Sequence, residues 1–140
     1  AEISAKTMDV TRYLVDKGLL PFPNPYFGAA AYDAPCHLYH AHKETEAPMQ
    51  LLSEVKKFRL IELPDSDQCC GAAGSYTLTQ PEMSERIFMG KLKALQKVEV
   101  DLVVTGNPGC ILQFRQGLAR AGLDIDVKHP MQIAAAAAEI

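Results

Sequence analysis

Four short apolar or β-branched runs divide this chain, at residues 29–32, 58–63, 101–105 and 125–128. After each run comes a stretch with helical spacing. Met83, Ile87, Phe88, Leu92 and Leu95 give the clearest one, opened by Gln80-Pro81-Glu82. Thr45 before Glu46-Ala47-Pro48 reads as an N-cap, with Leu51, Leu52 and Val55 as the apolar stripe and Lys56-Lys57 at the C-terminal end. A third helix is expected over 111–120, and an alanine-rich one after His129-Pro130. One more, over about 4–17, stands in front, with Gly18 as its stop. The prolines at 21, 23 and 25 exclude regular structure before the first strand. Alternation of strand and helix argues an α/β fold: a small parallel sheet of about four strands flanked by helices. In such sheets the ligand site lies beyond the carboxyl ends of the strands.

Cysteines follow three of those strands. Cys69 and Cys70 are adjacent and run into Gly71-Ala72-Ala73-Gly74-Ser75, where ordinary loops carry Ser, Asn or Asp. Glycines there let the backbone approach a ligand and leave N–H groups free to donate. Adjacent thiols make a strained disulfide, so the pair reads as a ligand pair. Cys36 follows the first strand in Tyr32-Asp33-Ala34-Pro35-Cys36, and Cys110 the third in Thr105-Gly106-Asn107-Pro108-Gly109-Cys110. All four are expected in loops and off helix faces, with Cys110 where a helix begins, so that its thiolate gains from the helix dipole. A free cysteine is ordinarily a small buried apolar residue, and Cys36 or Cys110 alone would read so. Four of them brought to one sheet edge favour a metal or cluster site.

Soft thiolates select zinc, copper(I) or iron–sulfur clusters. His37, His40 and His42 follow Cys36 and offer nitrogen ligands for zinc, against the plainer reading of a solvated polar segment. His129 reads as structural. At 140 residues, with 48% hydrophobic and 22% charged residues and a net charge of −3, the chain fits one soluble domain with no basic patch for nucleic acid. No apolar run approaches a membrane span, and no signal peptide is visible. Four cysteines fit a reducing compartment, so a cytoplasmic protein is expected, reaching a membrane only through partners.

These motifs resemble the cysteine-rich CCG domain of iron–sulfur oxidoreductases, found in heterodisulfide reductase, anaerobic glycerol-3-phosphate dehydrogenase, lactate-utilisation proteins and the glycolate oxidase iron–sulfur subunit. The family pattern is one Cys, a long gap, Cys-Cys-Gly, a second long gap, then Cys-x-x-Cys. Asp33-Ala34-Pro35-Cys36-His37-Leu38, Cys69-Cys70-Gly71-Ala72-Ala73-Gly74, Gln80-Pro81-Glu82-Met83 and the Cys110 segment are most similar to the second CCG repeat of the glycolate oxidase iron–sulfur protein. The pattern's last Cys is Gln113 here. The resemblance implies that residues 1–140 form a single CCG domain from a longer iron–sulfur subunit, with Cys36, Cys69, Cys70 and Cys110 holding a [4Fe–4S] cluster. It implies an electron relay serving a flavin subunit that oxidises a 2-hydroxy acid, with that subunit and the rest of its own chain as partners. No general base or nucleophile constellation is visible, and the domain is not expected to turn over substrate alone. The rival readings are a structural zinc or subunit-docking domain, and a thiol-exchange domain built on Cys69 and Cys70.

Overall fold

The computed structural model describes residues 2–18 and 22–138. Four strands, β1 (Gly28–Tyr32), β2 (Phe58–Glu62), β3 (Leu102–Val104) and β4 (Asp126–Lys128), form one sheet in the order β2-β1-β3-β4. Every neighbouring pair is parallel. The chain steps from β1 outward to β2 and then back across to β3. The order of winding therefore reverses between β1 and β3, the place at whose carboxyl ends such sheets bind ligands.

The two central strands are buried on both faces, and their side chains alternate between two cores. Ala31, Val103 and Val127 face one core, with Phe88, Leu92 and Leu95 of α5 (Pro81–Leu95) and Phe114 and Leu118 of α6 (Pro108–Ala121). Ala30, Tyr32, Leu102 and Val104 face the other, with Leu51 and Leu52 of α3 (Glu46–Ser53) and Ile133, Ala134 and Ala137 of α7 (Pro130–Ala137). Small alanines in β1 let both helical layers come close to the sheet. Helices α5 and α6 press together through Phe88, whose ring stands edge-on to Phe114 at 5.3 Å between centroids. A Cβ at Gly117 would lie 1.9 Å from Phe88 Cε1, so the contact requires glycine there.

Several elements differ from expectation. The front helix is two helices, α1 (Glu2–Lys6) and α2 (Val10–Asp16). Asp9 breaks the run by capping α2, its carboxylate accepting from Thr11 N at 2.8 Å. Helix α3 ends at Ser53, short of Lys56-Lys57. Thr45 stands at its N-cap but makes no capping bond with its side chain; Glu44 Oε1 accepts from Ala47 N instead, at 2.9 Å. Arg12 grips the same carboxylate with two bonds of 2.7 and 3.0 Å, tying α2 to this turn. A short helix, α4 (Tyr76–Thr79), stands where the sequence shows no helical period. Residues 22–27 carry no regular element, whereas Leu19, Leu20 and Pro21 lie outside the described residues.

Candidate metal centre

Each cysteine segment leaves the carboxyl end of a strand, so parallel strands bring all three to one edge. Cys36 follows β1 but is not in an open loop. It caps a π-helical turn, His37–His42, which ends at Lys43 in the left-handed conformation. Cys110 lies within the first turn of α6, on a helix rather than off one. Asn107 caps that helix, its side-chain oxygen accepting from Gly109 N at 2.8 Å and Cys110 N at 3.2 Å. Cys69 and Cys70 sit in irregular chain between β2 and α4.

Two of the four thiols are in contact. Cys70 and Cys110 are buried, with sulfurs 2.8 Å apart, a hydrogen-bonded contact well beyond the ~2.05 Å of a disulfide. Cys36 and Cys69 are half-buried, and the Cys36 thiol adds to the rise of the Cys69 thiol. The Cys110 contact lowers the Cys70 thiol to about 7, helped by the Ala72 N–H against the opposing effect of burial. The same contact, with burial, drives the Cys110 thiol up. Burial also raises Cys69, although Gly71 N donates to its sulfur at 3.3 Å. Cys70 is thus the thiol readiest to present a thiolate at neutral pH.

Backbone conformation fixes the Cys-Cys-Gly turn. Gly71 has φ +87°, and a Cβ there would stand 2.5 Å from the Ser84 carbonyl oxygen of α5. Ser84 is fully buried, and its hydroxyl donates to Gly71 O at 2.8 Å. Gln113 Nε2 donates to Ser84 Oγ at 3.0 Å. One turn after Cys110, where the resemblance places a further Cys, the side chain therefore braces α6 against α5 and the cysteine turn.

Beside the thiols lies a charged pair to which the sequence reading gave no role. Lys91 and Asp33 side chains are each 1% exposed, with Nζ 2.7 Å from Oδ1. Lys91 also donates to Asp65 O at 2.6 Å, in the stretch that leads to Cys69. Burial raises the Asp33 carboxyl to about 6 against the lowering effect of Lys91. Its charge in turn bears on Cys70 and Cys110. Thr105, following β3, is fully buried with its hydroxyl unpartnered.

The family model for the CCG cysteine-rich domain matches residues 30–115. The chain belongs to this family. A probable glycolate oxidase iron-sulfur subunit from Bacillus subtilis is 39% identical over 97 residues, covering 69% of this chain and 22% of that protein. Lactate utilization protein A from Oceanobacillus iheyensis is 28% identical over 133 residues, covering 94% of this chain and 54% of that one. The Geobacillus kaustophilus protein of the same name is 31% identical over 134 residues, covering 94% and 55%. The chain spans about half the length of the lactate utilization relatives, and less of the glycolate oxidase one. The Bacillus subtilis relative is named as an iron–sulfur subunit.

The donor set fits an iron–sulfur cluster. Four soft thiols, one already near its thiolate, stand beside backbone N–H groups that favour negative sulfur. A zinc ion needs four donors around one point at about 2.0–2.3 Å. Among the described residues, no three of His, Cys, Asp and Glu gather in that way. The zinc reading therefore finds no support. The three histidines are not drawn in. His37 Nδ1 faces Asn107 Nδ2 at 3.4 Å, and His40 Nε2 faces Asp67 O at 3.2 Å. His129 is structural: it caps α7, accepting from Met131 N at 3.1 Å, with Nε2 3.2 Å from Gly106 O. No described helix is long and apolar enough to cross a membrane.

Proposed function

We propose that Cys36, Cys69, Cys70 and Cys110 hold a [4Fe–4S] cluster, and that the domain relays electrons within a glycolate oxidase-like complex. The observation that carries this reading is that parallel strands bring three cysteine segments to one edge of the sheet, where Cys70 and Cys110 touch. When bound, the cluster supplies a site that takes and gives one electron. The chain's own residues do the rest. Cys36, Cys69, Cys70 and Cys110 would hold the cluster as thiolates, each giving up its proton on ligation. Gly71 N–H supports the Cys69 sulfur. Gln113 and Ser84 hold the turn in place.

In this reading residues 1–140 are one domain of a longer iron–sulfur subunit in a reducing compartment. The electrons come from a flavin-containing subunit that oxidises a 2-hydroxy acid. The names of the relatives support that placement, as does the share of their length that this chain matches. Anaerobic reconstitution with iron and sulfide tests it. The protein should turn brown, bleach on addition of dithionite, and recolour on reoxidation. A colourless protein, or a colour that dithionite leaves unchanged, contradicts the relay.

A further inference from the structure

The Lys91–Asp33 pair stands out because a lysine is almost never fully buried without a reason. Lys91 lies in the middle of α5, three residues after Phe88 and one before Leu92, on the face that packs against the sheet. Its ammonium reaches Asp33 and the Asp65 carbonyl. A cavity of about 440 Å³ is lined by Asp65, Gln68, Cys69, Ile87, Gly90 and Lys91, which places this lysine against the Cys69 side of the site. Asp33 lies three residues before Cys36 on the exit from β1, and its charge acts to raise the Cys70 and Cys110 thiols. The ion pair therefore joins the stretch that leads to Cys69 to the one that leads to Cys36. At 2.7 Å the Lys91–Asp33 contact is a charge-assisted one.

A buried ion pair is weak as a stabilising device, since the loss of two hydration shells offsets the attraction. Its effect on a neighbouring redox centre is different in kind, because buried charges are little screened. A lone ammonium there would favour the reduced centre, which carries one more negative charge. A lone carboxylate would favour the oxidised one.

We propose that Lys91 and Asp33 act on the thiol-held cluster as opposed charges, each keeping the other from shifting its reduction potential. The proposal rests on the cluster reading above.

The test is a reductive titration of the reconstituted protein against redox dyes, with iron and sulfide analysis of every sample. Asp33→Asn leaves Lys91 uncompensated, and the potential should shift upward. The double variant, Asp33→Asn with Lys91→Met, removes both charges, and the potential should return to the wild-type value. A merely structural pair gives the opposite pattern, with the double variant displaced at least as far as the single one. That result, or an unshifted Asp33→Asn, overturns the proposal. If Asp33→Asn fails to assemble a cluster but the double variant succeeds, the double variant decides: a wild-type potential upholds the proposal and a displaced one overturns it. If neither assembles, the pair is scaffold and the proposal falls. A wild-type protein that takes up no iron removes the cluster reading itself, and this inference with it.

Discussion

Gly71→Ala tests the geometry of the cysteine turn, and its cost can be worked from two contributions. The first is conformational. Gly71 has φ +87°, and a side chain in left-handed backbone costs about 1–2 kcal/mol. The second is steric. The new Cβ would stand 2.5 Å from Ser84 O, a backbone atom fixed within α5, so a flexible side chain cannot swing away. Overpacking of this kind costs about 1–3 kcal/mol. Gly74→Ala is the matched control. Its φ is +63°, yet nothing lies within 4 Å of the added carbon. Both variants gain equally from a stiffer unfolded chain, so that effect cancels in the comparison. Urea unfolding of the two metal-free variants, under reducing conditions, should show Gly71→Ala less stable than Gly74→Ala by about 1–3 kcal/mol. Equal destabilisation would refute the close approach of the turn to α5, and with it the account of how Ser84 and Gln113 brace the site.

Gly117→Ala should cost about 1–3 kcal/mol by overpacking, because its Cβ would stand 1.9 Å from Phe88 Cε1. Thermal unfolding checks this, and a Phe88→Leu background should recover part of the loss. The Asp33 carboxyl makes a pH prediction whose sign runs against the usual one for acids. Raised to about 6, it holds its proton more tightly folded than unfolded. Relative to Asp33→Asn, the wild type should therefore lose stability as pH rises from about 4 to about 6, and change little above that. Denaturation midpoints across that window, in both proteins, would contradict the burial argument if their difference stayed flat.

Strand and helix order was legible because the signals are local: β-branched or alanine runs, prolines opening helices, and a cysteine after each of three strands. Parallel pairing then made the cysteines converge with no contact information. What escaped the reading depends on contacts between distant segments. The α5 stripe looked like Met83, Ile87, Phe88, Leu92 and Leu95. The buried face instead takes Ser84, Phe88, Lys91, Leu92, Ala94 and Leu95, while Met83 and Ile87 remain exposed. A buried lysine is not expected from period alone, since its partner Asp33 lies on another strand's exit. Ser84 and Gln113 were opaque for the same reason: each is an ordinary polar residue until the other helix is in place. The π-helical turn after Cys36 has no simple sequence period. Asp9 was readable as a cap, and the unbroken helix drawn through it passed over a residue type that favours helix starts.

The central claim is that four thiols hold one cluster, and metal stoichiometry tests it most directly. After anaerobic reconstitution and desalting, iron and acid-labile sulfide should each reach about four per chain, as a [4Fe–4S] centre requires. Single replacements of Cys36, Cys69, Cys70 or Cys110 by Ser should each lower both values sharply, since a hard hydroxyl replaces a soft ligand. A protein that binds iron and sulfide equally well without one of the four cysteines would contradict the assignment.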